Sequence, residues 1–122
     1  MPNSEARNLN EYLNQVPRGR VEGTRRIVEI MRDELPGADE RVQSGIVILA
    51  RGGRDVIGIA AREGFYSLHV PHPGVVEEFA ERLGPTDPGK DCLRFNLLDD
   101  IDFSQLRRLV RACAAAAEAE GE

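Results

Sequence analysis

The chain has 122 residues, 41% hydrophobic and 30% charged, with a formal net charge of −5 and no tryptophan. That length suits one domain that buries a core without disulfides or metal. The acidic balance argues against nonspecific binding to nucleic acid or to an anionic membrane. All but one of the 16 basic residues are arginine, which reads as codon bias of the source genome rather than as anion recognition. Cys92 and Cys113 are too few for a disulfide scaffold and lack metal-ligand spacing, so free thiols in a reducing cytoplasm are expected. No run approaches the ~20 apolar residues that span a bilayer, and Met1 to Asn10 has no signal-peptide apolar core. The expected organisation is one domain over residues 1–122, with a core of about 8–117 and flexible ends.

Residues before Asn8 read as loose. Asn8 with Glu11 forms a capping-box pattern that opens a short helix with Leu9, Tyr12, Leu13 and Val16 on its apolar side. Pro17 and Gly19 break it. A longer helix runs to about Leu35, with Val21, Thr24, Val28, Met31 and Leu35 on one stripe and Ile27 and Ile30 widening it. Pro36-Gly37 ends it. Asp39 to Gly45 reads either as a polar edge strand or as a loop.

A three-strand meander follows from Ile46 to Val70, punctuated by Gly52-Gly53 and Glu63-Gly64. Pairing Arg51 with Arg54 sets Leu49 against Val56 and Val47 against Gly58. Alternation then puts Ile46, Ile48, Ile57, Ile59, Tyr66, Leu68 and Val70 on a core wall. Val47, Leu49, Val56, Gly58, Ala60, Phe65, Ser67 and His69 face the other way.

Pro73 opens a third helix with Val75, Val76, Phe79, Ala80 and Leu83 as its apolar face, ended by Gly84-Pro85. After a Pro- and Gly-rich loop to Lys90, Cys92 to Asn96 reads as a fifth strand with Leu93 and Phe95 inward and Arg94 outward. Asp102 caps the last helix, Gln105 completes its box, and the acidic tail from Glu118 frays. The order α-α-β-β-β-β-α-β-α predicts a two-layer α+β fold: a five-stranded, mainly antiparallel sheet with helices packed on one face.

Several stretches resemble the YdhG-like bacterial domain family of unknown function. They are Glu11-Tyr12-Leu13, Ile30 through Leu35-Pro36, Tyr66-Ser67-Leu68-His69-Val70, and Gly89-Lys90-Asp91-Cys92-Leu93-Arg94-Phe95. Where many members carry a Trp and a Met-Pro, this chain has Val42-Gln43-Ser44-Gly45-Ile46-Val47. Some members are described as frataxin-like iron chaperones, so the resemblance implies iron binding and delivery. Its carboxylate candidates are Asp33, Glu34, Asp39 and Glu40, since hard oxygen ligands suit iron. Each acidic cluster also has a simpler explanation as a solvated, salt-bridged helix face or a cap.

The residues themselves point to the outward sheet face. Arg94, Lys90, His69 and Ser67 over a floor including Gly58 would suit the carboxylate or phosphate of a small anionic molecule. The competing reading is a homodimer interface, because an uncovered apolar face calls for cover. His69 and His72 form an H-x-x-H pair without the one-face geometry of a helical metal pair, and His72 serves equally as a cap. No nucleophile elbow, phosphate loop or activated cysteine is present. The expected protein is a small, non-enzymatic cytosolic binding domain, with iron delivery, anion binding or homodimerisation as its specific forms.

Overall fold

The computed structural model describes residues 6–120. Its helices are α1 (Leu9–Leu13), α2 (Val21–Glu34), α3 (Pro73–Phe79) and α4 (Phe103–Glu120). Its strands are β1 (Asp39–Gln43), β2 (Ile46–Arg51), β3 (Arg54–Ala61), β4 (Tyr66–His69), β5 (Asp87–Pro88) and β6 (Cys92–Phe95). Short 3-10 turns occupy Arg18–Arg20 and Leu98–Asp100. The sheet has order β1-β2-β3-β4-β6-β5, and every neighbouring pair is antiparallel.

The fold class is as expected, with one strand more than the five foreseen. The stretch Asp39 to Gln43, ambiguous between strand and loop, is the edge strand β1. The added strand is β5, two residues inside the Pro-rich loop that pair with Arg94 and Leu93. A strand that short, containing a proline, carries no periodicity to read.

Turn chemistry sets the meander. Gly52 and Gly53 have φ of 58° and 78°, the left-handed pair that a two-residue hairpin of matching twist requires. Ser44 and Gly45 do the same between β1 and β2, with φ of 53° and 75°. Glu63 and Gly64 do not enter that region, and their turn closes with Arg62 N–H donating to Phe65 O at 2.8 Å.

The register of β2 against β3 differs from the simple expectation. Arg51 pairs with Arg54 and Ala50 with Asp55, but Leu49 pairs with Ile57, Ile48 with Gly58 and Val47 with Ile59. Val56 is the extra residue of a β-bulge. One inserted residue turns β2 over relative to β3. Val47 and Leu49 therefore enter the core cluster, while Ile46 and Ile48 lie on the opposite face. This corrects the expected core wall for β2; the assignment of Ile57, Ile59, Tyr66, Leu68 and Val70 to the core stands.

The helices pack on the core side, where Ile27, Ile30, Met31, Leu106 and Leu109 meet Leu49, Ile59, Leu68 and Leu93. Local signals mark their ends. Asn8 accepts from Glu11 N at 3.0 Å, but the Glu11 carboxylate turns to Arg7 N rather than back to Asn8. Asp102 Oδ1 accepts from Ser104 N, Ser104 Oγ and Gln105 N, whereas the buried Gln105 Oε1 has no partner among the described residues, so the second box stays half made. α4 remains helical through Glu120 instead of fraying at Glu118, and Ala6 is buried rather than loose. The loose-end expectations for residues 1–5 and 121–122 fall outside the described residues.

His72 stands at the N-cap position of α3, but its side chain does not cap the helix. It makes no capping bond, is 3% exposed, and sets Nε2 3.0 Å from Val56 O and Nδ1 3.1 Å from a Glu120 carboxylate oxygen. The bulge leaves Val56 without a cross-strand partner, and a buried carbonyl needs a donor. His72 supplies it and ties the end of α4 to the same point.

Candidate functional site

All the core-cluster residues of the sheet lie on one side, so among the described residues no helix lies on the other face of β1 to β6. Cross-strand pairing arranges that face in rows. One runs Arg41, Ile48, Gly58, His69, Cys92. The adjoining row holds Ala60, Ser67, Arg94 and Asp87. Four of the five expected ligand residues, Gly58, His69, Ser67 and Arg94, thus share adjoining rows of one face. Lys90 is exposed in the turn that enters β6, closed by Gly89 N–H donating to Cys92 O at 2.8 Å.

Arg94 places its guanidinium carbon 5.4 Å from the Phe65 ring centroid, a cation–π contact. Among the described residues, no carboxylate pairs with Arg94, and Ser67 and His69 make no side-chain hydrogen bond. Ser67 and His69 are half-buried and Arg94 is exposed.

Gly58 plays a different part from the one expected. A Cβ there would come within 2.8 Å of Ile46 Cγ2, 3.0 Å of Val47 O and 3.3 Å of His69 Cβ. Its missing side chain is therefore filled by its own neighbours, and it offers no open floor. Ile48, Ala50 and Ala60 are only 5%, 5% and 3% exposed although no helix lies over them. Side chains of adjacent strands cover them, Arg41 beside Ile48 among them; the Arg41 fork donates to both Asp55 carboxylate oxygens at 2.9 and 3.0 Å. The face shields its own apolar residues.

The four carboxylates expected for iron are not gathered. Glu34 accepts from Arg111 Nε at 2.6 Å and Arg107 Nη1 at 3.0 Å, and Asp33 from Arg107 Nη2 at 3.5 Å. Glu40 is gripped by Arg32 through two bonds of 2.8 and 2.7 Å. Asp39 is exposed at the start of β1. The Arg111 and Arg107 guanidinium groups hold the Glu34 carboxyl below the usual carboxylate range, and Glu34 in turn raises both arginines. A cation at Glu34 would have to displace two guanidinium groups. Among the described residues, no group of three or more His, Cys, Asp or Glu is placed to hold a metal ion. His69 on the helix-free face and buried His72 do not form a pair of ligands.

Both cysteines are free, and burial pushes the Cys113 thiol up to about 12. Concavity lies at the far end of the β2–β3 hairpin, where clefts of about 500 and 550 Å3 share Arg54 as a wall. Sequence reasoning missed this place, because its walls come from the hairpin, Pro71 and the end of α4. It also missed the α2–α4 clamp at Glu34, since nothing in the sequence of α4 points to a partner 73 residues away.

No protein-family model matches the chain, and no curated protein matches it in sequence. Among solved structures, the crystal structure of YdhG from Bacillus subtilis, a protein of the DUF1801 family, is similar, with a TM-score of 0.74. The superposition covers 84% of this chain and 85% of that one, at 13% identity. The chain has the fold of that DUF1801 protein. At this identity the likeness to YdhG concerns the arrangement of helices and strands alone, and the frataxin-like side of the sequence resemblance gains nothing from it. Among the described residues, no helix is long and apolar enough to cross a membrane.

Proposed function

We propose that this protein is a non-enzymatic binding domain that holds the carboxylate or phosphate of a small anionic molecule on the helix-free sheet face, at Arg94. The observation that carries the reading is the pairing of Ser67 with Arg94 across β4 and β6, with the Arg94 guanidinium laid over Phe65 and unclaimed by any described carboxylate. An oriented guanidinium with a hydroxyl beside it supplies charge-assisted donors to a planar or tetrahedral anion. His69, one row away, adds a ring N–H as a further donor.

Homodimerisation through this face has less behind it, because Ile48, Ala50 and Ala60 are already shielded within one chain. Iron delivery has less still, with Glu34 and Glu40 committed to arginines. Two free thiols suit a reducing cytoplasmic setting.

The test is a thermal-shift and calorimetric titration with phosphate and citrate. We expect binding to the wild type and its loss, by about tenfold or more, in Arg94→Ala, on the scale of one charge-assisted hydrogen bond. Because Arg94 is exposed, the unliganded melting temperature of that variant should stay near wild type. Equal binding by the variant, or no binding by the wild type, would sink the reading.

A further inference from the structure

The β2–β3 hairpin ends in two arginines without an ionic partner among the described residues. Arg51 and Arg54 are direct cross-strand partners either side of Gly52-Gly53. Like charges in directly opposed positions destabilise a hairpin. Neither forms an ion pair with a described residue: Arg51 donates one bond of 3.3 Å to Pro36 O, and Arg54 has no side-chain partner.

The register explains where they stand. Arg51 alternates with Ala50 and so lies on the side of Leu49, the helix side. There the hairpin and the last turns of α4 enclose the cleft of about 500 Å3, with Val56, Ala114 and Ala117 as apolar wall and Arg51 and Arg54 at the hairpin. That volume falls within the ~300–1,000 Å3 range of small-molecule sites, and so does the composition, apolar walls with a few convergent polar groups. Glu118 also lines it, as a carboxylate that competes with any anion for the arginines. The α4 wall is fastened beyond the cleft by the Glu120 contact to His72 at 3.1 Å.

We infer that this cleft is a second binding site, for an amphipathic anion. The charged head, a carboxylate or phosphate monoester, is held between Arg51 and Arg54. A short apolar body lies against Val56, Ala114 and Ala117. The bound anion offsets the repulsion of the opposed arginines, so the hairpin is better satisfied occupied than empty. The site is separate from Arg94, which lies on β6 on the other face of the sheet. A purely structural account is available: both arginines could complement the negative C-terminal end of α4 and Glu118. The two accounts differ in the sign of one measurement.

The experiment is an amide-resolved NMR titration of the whole chain with octanoate and hexyl phosphate, with octanol and inorganic phosphate as controls. We expect both amphiphiles to shift the amides of Gly52, Gly53, Ala114 and Ala117, and both controls to act on those amides at least about tenfold more weakly. Arg54→Ala should weaken octanoate about tenfold or more, yet melt unliganded at the wild-type temperature or above. Ala114→Leu, which fills the cleft and keeps both arginines, should also lose octanoate, and Glu118→Gln should tighten it. No shift at the hairpin and α4 amides, or undiminished binding by Arg54→Ala, would overturn the site. A lower unliganded melting temperature for Arg54→Ala would assign the arginines to structure instead. Inorganic phosphate acting on those amides as strongly as hexyl phosphate would remove the apolar half of the inference.

Discussion

Tyr12 fastens three elements through one oxygen. Its hydroxyl donates to Gly45 O at 2.9 Å and accepts from Ala61 N at 3.0 Å, joining α1 to the start of β2 and the end of β3. The ring is 4% exposed, so water cannot readily replace it. Tyr12→Phe leaves the buried Ala61 N–H without an acceptor, and a buried orphan donor costs about 1–3 kcal/mol. Urea denaturation should show a loss of that size; a loss under about 0.5 kcal/mol would mean the bond is idle. In the sequence Tyr12 was legible only as an apolar helix position, since nothing local announces acceptors 33 residues on. The same blindness covered His72, whose neighbourhood at Pro73 suggested a cap while its ring serves a carbonyl in β3. What was legible at this scale came from residues whose role is settled within a turn: Asn8, Asp102, Gly52 and Gly53.

Between elements, the clamp of α2 to α4 is the clearest charged contact. Glu34, its side chain 13% exposed, receives both Arg107 and Arg111, one turn apart on α4. Its folded-state pKa is depressed, first by the Arg111 hydrogen bond and then by Arg107, below the ordinary 4.5. A carboxylate shifted downward stabilises the fold fully above its unfolded value, and that contribution fades as pH falls through the folded value. Glu34→Gln should therefore cost about 1 kcal/mol at neutral pH, discounted for the exposed arginines. The gap from wild type should close as the pH drops below the usual glutamate range. Denaturation curves at pH 7 and pH 3 check this, and a gap that persists unchanged in acid would contradict the assignment. The helices themselves were readable from period and breakers, because Val28, Met31, Leu106 and Leu109 repeat at helical spacing. Their ionic partners were not, because surface charges on one helix carry no address for another.

For the whole molecule, one layer of helices covers one face of the sheet, and the two thiols sample that asymmetry. Cys92 is half-buried at the helix-free face, while Cys113 is fully buried on the inner side of α4 with its thiol pushed up to about 12. Thiolates, not thiols, react with disulfide reagents. In native buffer one equivalent of such a reagent should be consumed, and the second only as the chain unfolds globally, so labelling of Cys113 reports complete opening. Rapid labelling of both without denaturant would place Cys113 outside the core. The two-layer architecture was legible in the order of elements, and β5 and the hairpin-end clefts were not. Those arise where distant segments meet, and no window of sequence contains both sides.

The bulge at Val56 has a consequence for how the chain reaches this arrangement. Ile46-Val47-Ile48-Leu49-Ala50 is apolar on both faces, so seating Ile46 and Ile48 beneath the helices would bury nearly as much hydrocarbon as seating Val47 and Leu49. Hydrophobicity alone leaves two almost degenerate alignments of the hairpin, a local frustration that the Gly-Gly turn does not resolve because both begin from it. The imidazole of His72, 16 residues downstream, meets the Val56 carbonyl that the bulged alignment leaves without a cross-strand partner, and so favours that alignment. The alignment of the second strand is thus tied to a residue outside the hairpin, at the entry of the third helix.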